Sequence, residues 1–130
     1  MLFIYVAGPL MTGGQPIVAI ENALKYAEIL RIHDFIPYVP HLCWFWKLRY
    51  PNPETKWLEL DFNWIARCDS LLRIPGASYG ADKEVLHAKN LGKPVYTSLH
   101  ELFTTHGINI DIEAIRKKFN LIIGPLEVRL

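Results

Sequence analysis

The chain predicts an α/β domain: a mainly parallel sheet of four or five strands with helices on both faces. Three observations carry this. Apolar runs of strand length recur, segments of helical periodicity separate them, and glycine or proline punctuates the joins. Such alternation favours parallel pairing through right-handed crossovers, with ligands held beyond the carboxyl ends of the strands. With 130 residues, 51% of them hydrophobic and 12% aromatic, the chain can bury one sizeable core and is too short for two ordinary domains. Residues 1–130 are therefore read as a single domain.

Residues 2–7 form a continuous apolar run stopped by Gly8 and Pro9, as expected of a strand buried on both faces. A flexible loop follows over residues 11–15. Pro16 suits a first helical position, and Ile17, Ile20, Ala23, Leu24, Ala27 and Leu30 recur at helical spacing, so a helix runs to about Ile32. Residues 35–40 are apolar with two prolines and predict an edge strand, because proline has no N–H for an inner ladder. Residues 41–53 are aromatic but broken by prolines. From Glu54 or Thr55 to Cys68 the pattern is helical again, with Trp57, Trp64, Ile65 and Cys68 on one side. Residues 70–74 are a third strand, and residues 80–91 a third helix with Val85, Leu86 and Ala88 inward and a stop at Gly92-Lys93. Residues 94–98 are a fourth strand, 99–105 a short helix, and 110–119 another amphipathic helix. The apolar stretches 121–123 and 126–130 are expected to pack or to add a last strand.

The formal charge of +1 comes from 14 basic and 13 acidic residues spread along the chain, so no basic stripe marks a nucleic acid polymer or a membrane as partner. Cys43 and Cys68 belong to no CxxC pair and are read as buried thiols in a reducing compartment. The apolar start lacks a basic leader and fits a strand better than a signal peptide. No run approaches the ~18 apolar residues of a membrane span. A soluble cytoplasmic protein that needs no metal or cofactor is expected.

Two carboxylates stand out. Glu84 lies early in a helix that follows an apolar strand and a glycine turn, where the helix N-terminus favours an ionised group facing a small ligand. Asp61 lies one turn from Trp57 and one from Ile65, so its helix turns a carboxylate inward, which is costly without a purpose or partner. Tyr5 and the Gly8-Pro9 loop, Ser78 with Gly80, and Ser98 come from three strand ends at the same mouth. Paired carboxylates across a small cleft suit glycosidic cleavage, one attacking the anomeric carbon and the other handling the leaving group's proton.

Each residue also has a plain structural account. Glu84 would complement its helix dipole; Asp61 would pair with Arg67 or His41; Tyr5 would be core; Ser78 would be an N-cap. The aromatic residues from Trp44 to Tyr50 would stack on a base, form a lid, or fill a core or dimer interface. His41 and His87 stand at no metal-ligand spacing and are read as ordinary polar or core residues.

Tyr5 with Gly8, Asp61 in Leu60-Asp61-Phe62-Asn63-Trp64-Ile65, and Glu84 in Ser78-Tyr79-Gly80-Ala81-Asp82-Lys83-Glu84 together resemble the nucleoside 2-deoxyribosyltransferase-like family, including the 2′-deoxynucleoside 5′-monophosphate N-glycosidases. The resemblance covers roughly residues 2–98. It implies a flavodoxin-like three-layer sandwich and cleavage or transfer at the N-glycosidic bond of a (deoxy)nucleoside or its 5′-monophosphate. It also implies that Glu84 attacks C1′ to give a glycosyl ester, that Asp61 protonates or orients the base, and that Tyr5 positions Glu84. Ser78, Gly80 and the Gly8-Pro9 loop would hold sugar or phosphate. Family members assemble as homodimers or larger homo-oligomers, so Ser98 would serve a neighbour's site. Ser78 stands where deoxyribosyltransferases carry an Asp for the 5′-hydroxyl, which tilts the expectation toward a nucleotide. Against this, the first loop has no Arg, and Asp82 replaces a glycine and brings a negative charge toward a phosphate. The rival functions are a nucleotide-binding or sensing module that uses the same pocket without turnover, and a scaffold built on the aromatic surface.

Overall fold

The computed structural model describes residues 1–121. A parallel sheet of four strands, β1 (Phe3–Ala7), β2 (Ile36–Tyr38), β3 (Ser70–Arg73) and β4 (Val95–Tyr96), runs in the order β2-β1-β3-β4. Tyr5 sits between Tyr38 and Leu71 in register, and Leu72 lies opposite Tyr96. The predicted edge strand is at the edge, where Pro37 costs no inner hydrogen bond.

Alternation along the strands divides the core in two. Ile4, Val6, Leu72 and Ile74 point to one face, covered by α1 (Pro16–Ile32) and α5 (Leu99–Thr105); α6 (Ile112–Phe119) adds Ile112 and Phe119 there. Tyr5, Ala7 and Leu71 point to the other, under Ile65 of α3 (Glu54–Arg67) and Ala81 and Ala88 of α4 (Tyr79–Asn90). This is a flavodoxin-like three-layer α/β sandwich. The strand order reverses between β1 and β3, so their carboxyl ends diverge into a crevice there.

Several predicted details are corrected. The proline-broken aromatic segment is helical, because its prolines bracket it: Pro40 opens a 3-10 turn (Pro40–Cys43), α2 (Trp44–Arg49) follows, and Pro51 and Pro53 lie beyond its end. Trp64 is 43% exposed, since it lies at the rim of the buried stripe of α3, with its ring stacked on Tyr38 at 4.6 Å. Leu86 is 59% exposed because it stands two residues after buried Glu84, and such positions lie on different sides of a helix. β4 is shorter than predicted because Ser98 is already the N-cap of α5, and α6 starts at Ile112 because Asp111 caps it. Leu121 packs into the first core cluster; the rest of the apolar tail lies outside the described residues. No helix among the described residues is long and apolar enough to cross a membrane.

Candidate active site

β1 ends at a glycine because β3 passes too close for a side chain. A Cβ on Gly8 would stand 2.2 Å from Ile74 Cγ1, and Ile74 is 1% exposed and has nowhere to go. The loop after β3 closes against the same end: Gly76 has φ +117°, and a Cβ there would meet Pro9 Cγ at 2.5 Å. His41 completes the brace, with Nε2 3.1 Å from the Pro9 carbonyl oxygen. Burial, first of all, lowers its pKa to about 4, so the ring is neutral and donates from Nε2. Its Nδ1 has no hydrogen-bond partner among the described residues.

Ser78 is the N-cap of α4, its Oγ accepting the Ala81 N–H at 3.1 Å. That cap aims the buried face of α4, carrying Ala81, Glu84 and Ala88, at the sheet. Glu84 is 5% exposed. α3 packs beside α4 and presents Trp57, Leu58, Asp61 and Ile65 on its buried side. From beneath, fully buried Tyr5 donates its phenolic O–H to Glu84 Oε2, and its ring stacks on Tyr38 at 5.6 Å.

The electrostatics follow from this burial. Glu84 is pushed well above the usual carboxylate range, first by desolvation and then by the Asp61 carboxylate, while the Tyr5 hydrogen bond opposes the shift. Asp61 is also raised, chiefly by desolvation, with Glu54 adding to it and Glu84, Lys47 and Tyr5 pulling it down. Two carboxyls this close relieve their repulsion by holding one proton between them. Burial, then the charge of Glu84, keeps Tyr5 a neutral phenol, so it remains a donor.

Above the pair opens a cleft of about 430 Å³. Its lining includes Gly8, Ser78, Gly80, Asp61 and Glu84, which the sequence pointed to; Trp44, from the aromatic segment for which base stacking or a lid was one expectation; and Lys47, Asn52, Glu54 and Trp57, which the sequence assigned to no site. α2 supplies one wall; Lys47 Nζ lies 5.6 Å from the centre of the Trp57 ring. The aromatic density of residues 44–57 was the one available signal for it. Tyr5 is under the cleft rather than in its lining, and Pro9 braces the loop without lining it. Ser98 is not brought to this cleft; its Oγ accepts the Glu101 N–H at 3.0 Å and caps α5.

The structural accounts separate accordingly. No ion pair joins Asp61 to Arg67 or His41 among the described residues, and Arg67 is exposed. Ser78 caps its helix and lines the cleft at once. Asp82, expected to bring charge toward a bound phosphate, turns outward and pairs with Arg73 at 3.1 Å, outside the cleft lining. Among the described residues, no group of three or more His, Cys, Asp or Glu is placed to hold a metal ion. No protein-family model matches the chain, and no curated protein matches it.

Proposed function

We propose that the protein cleaves or transfers the N-glycosidic bond of a nucleoside or nucleotide through a covalent glycosyl ester on Glu84. The observation that carries this is a buried carboxylate held by a phenol, beside a second carboxyl, both lining an open cleft. With the pair's proton on Asp61, a Glu84 oxygen attacks C1′ and the C1′–N bond breaks. Its electron pair leaves with the base, and Asp61 protonates the base nitrogen. Asp61, now ionised, takes a proton from water or from an incoming base as that group attacks C1′ and releases Glu84. The aromatic wall of Trp44 and Trp57 suits a base ring.

A homo-oligomeric assembly belongs to the same proposal. The large exposed side chains of Phe45, Trp46, Leu48 and Tyr50 beside the cleft support it.

The test is chromatographic: incubate the protein with deoxynucleosides and their monophosphates, look for free base, and repeat with Glu84→Ala. Base release that vanishes in the variant is the expected result. Release that persists removes Glu84 as nucleophile, and tight binding without release by the unaltered protein assigns a binding module instead.

A further inference from the structure

We propose that the cleft prefers a nucleoside with a free 5′-hydroxyl over its 5′-monophosphate, and that Glu54 sets this preference. This rests on the N-glycosidic reading above. Glu54 stands in the first turn of α3 and lines the cleft opposite the first turn of α4. A Cβ built on Gly80 would meet one neighbour within 4 Å, Glu54 Oε1 at 3.9 Å. The α4 turn is where backbone N–H groups would otherwise receive a phosphate, and this chain already places a carboxylate there.

The remaining charges do not reverse this. Among the described residues, the acidic side chains lining the cleft are Glu54, Asp61 and Glu84 against the one ammonium of Lys47, with His41 neutral. Even with one proton on the carboxyl pair, the acidic groups outweigh the one ammonium of the lining. Three further cations have contacts of their own. Arg73 donates to the Ile74 and Gly76 carbonyls and to Asp82, Lys83 lies 4.8 Å over the Tyr79 ring without lining the cleft, and Lys56 faces Glu59 at 3.6 Å. A phosphate dianion at the α4 turn would meet like charge, whereas a hydroxyl there donates to the Glu54 carboxylate in a charge-assisted hydrogen bond.

The test measures base release from the four common 2′-deoxynucleosides and from their 5′-monophosphates, for the full chain and for Glu54→Gln. The amide keeps an acceptor for a hydroxyl and removes the charge. The unaltered protein is expected to favour nucleosides, and the variant to shift the ratio of kcat/KM values toward monophosphates by about ten-fold or more, mainly through KM. Added salt should narrow the preference of the unaltered protein and leave that of Glu54→Gln in place, an effect no packing change would give. Preference for monophosphates by the unaltered protein, or an unchanged ratio in Glu54→Gln, overturns the proposal. If neither ligand loses its base, the glycosidic reading fails on its own. Calorimetry with the same ligands then decides this one: tighter nucleoside binding sustains it, while tighter monophosphate binding, or no binding of either, ends it.

Discussion

Tyr5 on the central strand and Glu84 on α4 stand 79 positions apart in sequence and meet in a buried hydrogen bond, the phenol donating to the carboxylate. Sheet alternation turns Tyr5 toward α4, and the Ser78 cap fixes the start of the helix that carries Glu84. The contact favours the ionised form of Glu84 against its burial.

Tyr5→Phe keeps the ring against Tyr38 and deletes only that donor. A hydrogen bond to a charged group contributes about 1.5–3 kcal/mol, so base release should fall roughly 10- to 100-fold, mostly in kcat. With its stabilising donor gone, Glu84 ionises less readily, and the rate profile should move to higher pH. An unmoved profile would mean that the phenol does not act on the nucleophile.

Stability carries a second signature of the same burial. Glu84 is raised from 4.5 to about 8, so the carboxyl pair it forms with Asp61 holds its one proton better in the folded chain than in the unfolded one. Its favourable contribution is complete below the unfolded value and is lost as pH rises through the folded one. Glu84→Gln has no proton to lose and should therefore gain on the parent between about pH 5 and about pH 9, by roughly 2–4 kcal/mol. His41 acts in the opposite sense: its lowered pKa, from 6.5 to about 4, removes stability as pH falls, and comparing variant with parent cancels it. Urea midpoints across this range decide the matter; a gap that does not change with pH would deny the carboxyl pair its shared proton.

The sheet, α1 and the inward turn of Asp61 were legible because each follows from a local period. Asp61 shares a helix stripe with Trp57 and Ile65, and Pro16 marks the start of α1. The meeting of Tyr5 with Glu84 has no local period; only the register of β1 beside β3 and the packing of α4 create it. Lys47 was missed because prolines concealed α2; Glu54 stands at the predicted start of α3 and was missed because only the packing of α3 beside α4 brings it to Gly80 and the cleft. The outward turn of Asp82 was equally hidden, since its partner Arg73 lies at the end of a strand rather than on its own helix.

Gly8 answers to packing rather than to backbone freedom. An alanine there would press its Cβ into Ile74 Cγ1 and Cδ1, at 2.2 Å and 2.6 Å, within a closed core. Gly8→Ala should cost about 1–3 kcal/mol, the usual penalty of overpacking. In an Ile74→Ala background the same substitution should cost much less, so the two changes should couple strongly in a denaturation cycle. Additive costs would show that the strand ends can move apart.

Asp61 is assigned the proton that leaves with the base, and the nature of the leaving group tests this directly. Asp61→Asn preserves shape but has no acid to give, so release of natural bases should fall by about 10²- to 10⁴-fold. An aryl deoxyriboside with a nitrophenolate leaving group departs without protonation, and its glycosyl transfer to Glu84 should be largely spared. The substitution also removes the like charge that helps to raise Glu84, so Glu84 should ionise at lower pH and the acidic limb of the profile should shift downward. Equal losses on both substrates would show that Asp61 supports the cleft without transferring a proton, leaving Glu84 and Tyr5 to act with a different acid.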